Sequence, residues 1–112
     1  MIKPTVEYGD FEKLDIRVGR VVGASSPDWS DKLLRYEVDL GDEIGKRVLF
    51  SGIRRWYSPE NLLNKNIPVV INLAPKKMGE EVSQGMAIMM DTENGATMIF
   101  LPENLKPGSV IR

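Results

Sequence analysis

Positive charge is concentrated in the middle of this 112-residue chain, and two adjacent aromatic rings lie within it, a combination suited to neutralising phosphates and stacking on exposed bases. Residues 46–77 carry one acidic residue, Glu60, and seven basic ones: Lys46, Arg47, Arg54, Arg55, Lys65, Lys76 and Lys77. Trp56 and Tyr57 directly follow Arg54 and Arg55. Both flanking segments are acidic, so the net charge of −1 conceals the segregation. The pattern favours nucleic-acid binding. Solvated surface charges and buried rings are the alternative interpretation.

The residue types that most catalytic sites need are missing. The chain has no cysteine and no histidine, which removes disulfides, thiolate nucleophiles and the commonest metal ligands. A hydrolase built on Ser51 or Ser83 is disfavoured because no histidine is present to activate the hydroxyl. Carboxylates, lysines and tyrosines could still transfer protons, so catalysis is disfavoured rather than excluded. No glycine-rich phosphate loop is present, and we predict no catalytic residue, cofactor or metal site.

Length and hydropathy suggest one cytoplasmic domain. A chain of 112 residues can bury one modest core, so we expect a single domain over residues 1–112. No apolar run approaches the roughly eighteen residues of a membrane span, and residues 1–7 lack the hydrophobic stretch of a secretory signal. We therefore expect no membrane partner.

Short strands must position the basic and aromatic residues. Alternation of apolar and polar residues predicts a first strand with Leu14, Ile16, Val18 and Val22 on its inward face. It should bend near Gly19, since glycine often marks a bulge or a barrel corner, and a clean second strand follows. Pro68 should lie at the start of its strand or on an edge, since proline donates no ladder hydrogen bond. The four strands predicted from this half of the chain are 14–22, 34–40, 47–50 and 67–73.

A short helix and a hairpin complete the predicted elements. Ser58 and Pro59 are typical of a helix start, and the helix should run to about Leu63 between the third and fourth strands. Residues 86–91 and 97–101 should pair as a hairpin, because Asn94-Gly95 accepts the positive φ of a tight turn. This order fits an all-β, five-stranded Greek-key barrel of the oligonucleotide/oligosaccharide-binding (OB) type, with extra C-terminal strands.

Six ordered blocks resemble the tRNA-binding domain family. The first is Asp15-Ile16-Arg17-Val18-Gly19-Arg20-Val21, and the resemblance covers about residues 10–111. The later blocks are 31–33, 38–41 with 47–53, 57–62, 69–73 and 83–86. The family includes the C-terminal domain of methionyl-tRNA synthetase, its free-standing β-subunit counterpart and the CsaA export chaperone. The chain departs from it at Ser26-Pro27-Asp28-Trp29-Ser30, where many members have a histidine, so Trp29 either stacks on a ligand or covers the barrel end.

The resemblance implies a non-catalytic tRNA-binding module and a set of contact residues. Together with the basic and aromatic residues above, the predicted contacts are Lys32, Arg54, Arg55, Lys76 and Lys77 for phosphates, Ser51, Asn72 and Ser83 for sugars or bases, and Tyr57 and Met86 as an apolar platform. The three polar residues lie at strand ends, where a purely structural role is equally reasonable. Met86 could also belong to the core.

The resemblance also implies partners. These are tRNA, a second copy of the chain, and a synthetase catalytic chain, with aminoacylation performed elsewhere. Val6, Tyr8 and Phe11 at one end, and Val110-Ile111 at the other, are apolar segments that must fold over the barrel or pack against a partner. A protein-binding module of the CsaA type, or a dimerisation domain, is the alternative function.

Overall fold

Antiparallel strands curl into a nearly closed barrel in the computed structural model, which describes all residues from 1 to 112. In chain order the elements are α1 (Tyr8–Glu12), β1 (Ile16–Ser25), β2 (Leu34–Asp39), β3 (Lys46–Ser51), α2 (Pro59–Leu62), β4 (Asn66–Val70), β5 (Lys76–Met78), β6 (Glu81–Ser83), β7 (Met86–Ala87), β8 (Met89–Thr92), β9 (Gly95–Met98) and β10 (Val110–Ile111). None of the helices is long and apolar enough to cross a membrane.

Five strands form the barrel in the order β3-β2-β1-β4-β7, and β10 adds to the start of β1. The gap between β3 and β7, which we call the seam, is closed by the segment 83–85. The Gln84 side-chain oxygen accepts the Val48 N–H at 2.9 Å, and the Gln84 N–H donates to the Val48 carbonyl at 2.9 Å. Beside this pair, the Phe50 N–H donates to the Ser83 hydroxyl at 3.1 Å. The predicted OB-type barrel is confirmed.

The core follows the alternation that the sequence shows most clearly. Along β2 every second residue is buried, and Leu34, Tyr36 and Val38 are fully inaccessible. They meet the inward side chains of β3 and β4. Since apolar burial contributes about 25 cal/mol per Å², this two-residue period fixes which face of the sheet turns inward.

The first strand serves two neighbours, and its irregularity lies beyond Gly19. Residues 16–20 pair with β4, whereas residues 20–25 pair with β2, and the register with β2 shifts between Val21 and Gly23. Val21 is therefore buried and Val22 exposed, the reverse of the predicted alternation. Gly19 is needed for a different reason: a Cβ there would lie 3.0 Å from the Val69 side chain, so it allows close approach of the strands.

Pro68 lies inside the sheet, so the prediction that it starts a strand or marks an edge is wrong. It pairs with Val18, in the middle of the ladder between β1 and β4. The Val18 N–H donates to the Ser109 carbonyl, and its carbonyl accepts the Gly108 N–H, so Val18 directs both groups away from Pro68. No ladder hydrogen bond is missing at this pair, and proline is tolerated.

Two of the other predicted elements are confirmed, and one predicted strand is shorter than expected. The short helix after Ser58 and the hairpin turning at Asn94-Gly95 are confirmed, as β8 and β9 pair from Met89↔Met98 to Thr92↔Gly95. The fourth strand ends at Val70 rather than Leu73, whose side chain is exposed. Helix α1 and the β5–β6 hairpin were not predicted, and β10 is one of the expected extra C-terminal strands.

Candidate nucleic-acid interface

Two segments meet at one end of the barrel, the loop 26–33 and the β5–β6 hairpin, which spans residues 76–83. We call them the joined loops. The Trp29 ring packs directly against the backbone of Gly79 in the hairpin turn, and its centroid lies 5.7 Å from that of Phe50. Trp29 therefore covers the barrel end rather than facing solvent with its whole ring. A second link joins Arg35 of β2 to Glu81 of β6 at 3.1 Å.

The joined loops carry three of the predicted phosphate contacts. Lys32 lies in the loop, and Lys76 and Lys77 lie on β5. All three side chains are exposed, and none forms an ion pair within 4.0 Å. Their charges remain open to a ligand, and all three lie on the two segments that the Trp29–Gly79 contact links.

Arg54 has a different position. Its guanidinium donates to the Pro27 carbonyl at 3.2 Å and to the Ser30 carbonyl, and its backbone N–H donates to the Lys32 carbonyl at 3.2 Å. These bonds hold the backbone of the loop 26–33 in its conformation. We therefore assign Arg54 to loop support rather than to phosphate contact. Arg55 is exposed, and its guanidinium lies 5.9 Å from the centroid of the Trp56 ring.

Two of the predicted polar contacts are used inside the protein. The Ser83 side chain is 5% exposed, and its hydroxyl accepts the Phe50 N–H and donates to the Gly85 carbonyl at 3.2 Å. The Asn72 amide ties the N-terminal segment to the barrel: it accepts the Asp15 N–H at 2.8 Å and donates to the Lys13 carbonyl at 2.6 Å. Both side chains are assigned structural roles.

Ser51 and Tyr57 combine an internal hydrogen bond with partial exposure. The Ser51 hydroxyl lies 2.6 Å from the hydroxyl of the buried Tyr36. Burial raises the pKa of Tyr36 to about 12, although the Ser51 hydrogen bond opposes the shift, so Tyr36 keeps its proton at neutral pH. The Tyr57 hydroxyl accepts the Met98 N–H at 2.9 Å, which holds β9 against the turn after β3.

An open apolar depression of about 440 Å³ adjoins the joined loops. Ser51 and Met86 both line it, and the Met86 side chain is 51% exposed, so Met86 is available for contact rather than part of the core. The other lining residues are Gly52, Ile53, Ala87, Ile88, Met89, Asp91 and Ala96. Ser83, the last residue of the hairpin, lies three residues before Met86, and Arg54, three residues after Ser51, hydrogen-bonds to the loop 26–33, so the depression adjoins the joined loops.

Sequence reasoning missed one cationic and aromatic pair. The Lys65 ammonium lies 5.6 Å from the centroid of the Phe100 ring. Lys65 belongs to the basic segment, but Phe100 lies 35 positions further along the chain, and no local pattern connects them. The only sequence signal for this pair was the position of Phe100 near the end of an apolar run.

Comparison with known proteins identifies the family of this chain. The family model described as a putative tRNA binding domain matches residues 16–110. Methionine–tRNA ligase of Xylella fastidiosa (strain M23) is 43% identical over 111 residues, and that of Parabacteroides distasonis is 39% identical over 112 residues. The alignments cover 97% and 99% of this chain but 16% of each ligase, so the chain spans about a sixth of these relatives.

Solved structures of similar chains have the same fold. A MetRS related protein from Pyrococcus horikoshii superposes with a TM-score of 0.90 at 32% identity, covering 98% of this chain and 100% of that one. The CsaA chaperone protein from Picrophilus torridus gives a TM-score of 0.88 at 29% identity, with 96% and 100% covered. With the family model matching nearly the whole barrel, the chain belongs to the putative tRNA binding domain family.

Proposed function

We propose that this protein binds tRNA through the joined loops and the adjoining depression, as a non-catalytic module that assists a methionine–tRNA ligase in the cytoplasm. The observation that carries the proposal is the placement of Lys32, Lys76 and Lys77 on two segments fixed together by Trp29, with no carboxylate paired to any of them. Three cations held on a rigid support can meet phosphates at fixed positions, which favours recognition of an RNA's shape over its sequence.

The positive charge that would attract RNA is limited to a few lysines and does not extend over the whole chain. Asp28, Asp31 and Glu80 are exposed on the same joined loops, and the net charge of the chain is −1. Binding through one such surface should therefore be weak at physiological salt, because few counterions are released. The depression between Ser51 and Met86 adds apolar contact to an unpaired base or sugar.

A second copy would offset this weakness. Apolar side chains are exposed around a second depression of about 480 Å³, which is lined mainly by residues from the two ends of the chain. They are Tyr8, Phe11, Leu14 and Val110. A homodimer that buries them would tether two RNA-binding surfaces in one particle, and the effective concentration of the second surface would raise the affinity for one large RNA.

The accessory role follows from size and chemistry. A catalytic ligase needs an adenylate-forming site, and the matched region is about a sixth of the curated ligases. The hydroxyls of Ser51 and Ser83 are engaged in internal hydrogen bonds. The module would thus add tRNA affinity, while a catalytic chain performs aminoacylation.

A titration of the purified protein with unfractionated tRNA tests the proposal. We expect saturable binding, and a plot of log K against log salt that flattens by about two in the Lys76→Ala/Lys77→Ala variant, since each phosphate contact contributes about 0.9 to the slope. The matched control is Lys3→Ala/Lys106→Ala, which removes the same charge from exposed lysines outside the joined loops. Equal slopes for the two double variants would contradict the proposed surface.

Polypeptide binding is the second candidate function, favoured by the similarity to CsaA chaperone structures and by the exposed methionine at the depression. A parallel titration with an unfolded polypeptide separates the two. Saturable polypeptide binding without any tRNA binding up to tens of micromolar would reverse the ranking. Recovery of a methionine–tRNA ligase with the tagged protein from cell extract would support the accessory role.

A further inference from the structure

Two exposed aromatic rings, each beside a cation, lie outside the joined loops. The Arg55 guanidinium is 5.9 Å from the Trp56 ring centroid, and the Lys65 ammonium is 5.6 Å from that of Phe100. The side chains of Trp56 and Phe100 are each 43% exposed. The two rings lie near each other through Tyr57, which directly follows Trp56 in the chain and packs against Phe100.

Both rings are held in place by the β8–β9 hairpin and the turn after β3. The Trp56 ring packs against Gly95, the first residue of β9, where a Cβ would overlap it. Phe100 lies two residues beyond β9 and packs edge-on against Tyr57, with the centroids 6.4 Å apart. Tyr57 is itself fixed by its hydrogen bond to the Met98 N–H. A ligand stacking on these rings would therefore meet an ordered surface and lose little side-chain entropy to it.

The two cations have no competing partner. Neither Arg55 nor Lys65 forms an ion pair within 4.0 Å, although Asp91 and Glu93 are exposed on the adjacent hairpin. An alternation of flat apolar surface and unneutralised positive charge matches a strand of unpaired nucleotides, in which bases alternate with phosphates. In a duplex the base faces are already stacked, so a double-stranded RNA would leave the rings without a partner.

From this arrangement we infer that Arg55, Trp56, Lys65 and Phe100 form a stacking site for unpaired nucleotides, separate from the lysines of the joined loops. The inference rests on the proposed tRNA-binding function and adds the structural class of RNA that this surface takes. Duplex parts of a tRNA would contact the joined loops, and a single-stranded end or loop would stack on Trp56 and Phe100.

Tryptophan fluorescence with a short single strand tests the site directly. The probe is a five-nucleotide oligoadenylate, too short to reach both surfaces as a folded RNA does. We expect it to quench the fluorescence of the full-length protein and the Trp29→Phe variant, but not that of Trp56→Phe, whose remaining Trp29 is packed on Gly79. Trp56→Ala and Phe100→Ala should each raise the Kd for the oligonucleotide about tenfold, the usual range for loss of one stacked base.

Further variants separate stacking on the two rings from effects on folding, from the charge of the two cations and from the joined loops. Leu63→Ala is the matched control, because it removes another partly exposed apolar side chain that has no ring on which a base can stack, and its Kd should not change. Arg55→Gln/Lys65→Gln keeps both rings and should weaken oligonucleotide binding with a reduced salt dependence. Lys76→Ala/Lys77→Ala should weaken tRNA binding while leaving the quenching intact.

The outcomes separate this inference from the proposed function. If tRNA binds but the oligonucleotide gives no Trp56-dependent quenching, the stacking site is wrong and the tRNA-binding proposal stands. If the oligonucleotide binds through Trp56 but tRNA does not bind, the proposed function fails and the stacking site stands. Equal losses in Trp56→Ala and Leu63→Ala would also overturn the site, since they would reflect general destabilisation.

Discussion

The indole ring of Trp29 packs so closely on the backbone of Gly79 that a Cβ atom at position 79 would overlap it. Gly79 also has φ +61, in the left-handed region that side chains rarely adopt. The contact joins a loop between two strands to the turn of a hairpin more than forty residues later. It therefore fixes the relative positions of Lys32 and of Lys76 with Lys77.

Gly79→Ala should separate the joined loops. The Cβ must displace the ring or the turn, so we expect a loss of unfolding free energy above the roughly 1 kcal/mol that a left-handed alanine costs by itself. The tRNA affinity should fall as well, because the lysines lose their fixed spacing. Urea unfolding and a tRNA titration measure the two effects.

The control for this variant is Gly45→Ala. Gly45 has φ +82, but no atom lies within 4 Å of a Cβ placed there, so the variant carries the backbone strain without the overlap. Its tRNA affinity should match that of the unchanged protein. If both variants bind tRNA equally well, the Trp29 contact does not position the lysines.

Ser83→Ala should reduce stability and leave tRNA binding intact. The substitution removes the acceptor of the buried Phe50 N–H at the seam, and an orphaned buried donor costs about 1–3 kcal/mol. Chemical unfolding measures the loss, and Ser25→Ala, at an exposed serine without a side-chain hydrogen bond, is the control. Weaker tRNA binding at unchanged stability would instead make Ser83 a contact residue.

Asn72→Ala should release the N-terminal segment. The variant loses both amide hydrogen bonds to residues 13 and 15, so α1 and the exposed rings of Tyr8 and Phe11 are no longer held beside β10. We expect the proposed homodimer to weaken several-fold in sedimentation experiments, whereas Asn104→Ala, at an exposed turn asparagine, should have no effect. An unchanged dimer would show that the segment does not take part in association.

Tyr36 should make the barrel sensitive to high pH. Burial raises its pKa from 10.0 to about 12, so the folded state binds more protons than the unfolded state between these values. Its contribution to stability is complete below pH 10 and is lost as the pH rises through about 12. In urea unfolding across that interval, the wild-type protein should lose stability relative to Tyr36→Phe; parallel curves would disprove the link.

The sequence predicted correctly those elements of the fold that depend only on residues close together in the chain. The period of β2, the start of α2 at Ser58 and the Asn94-Gly95 turn each depend on neighbouring residues, and each was predicted correctly. Pro68 was misplaced because its tolerance depends on where Val18 directs its backbone groups, and Val18 lies fifty positions away. The same holds for Val22, whose exposure follows from a register shift against β2.

The same distinction applies to the residues of the candidate site. Lys76 and Lys77 could be predicted to be exposed from residue type and from the preceding proline. The roles of Arg54, Asn72 and Ser83 depend on partners distant in sequence, such as the Pro27 carbonyl or the Phe50 N–H. Charge and hydroxyl groups alone do not distinguish a ligand contact from an internal brace.

The hydrogen bonds that close the seam between β3 and β7 also prevent other copies of the chain from pairing with this edge of the sheet at high concentration. An open sheet ends in rows of donors and acceptors on which another molecule can add a strand, which is how templated aggregation starts. Here the Val48 N–H and carbonyl and the Phe50 N–H are already occupied by Gln84 and Ser83. Substituting Gln84 with an apolar residue would leave the Val48 N–H without its partner, and strand addition by another copy could then begin at this position.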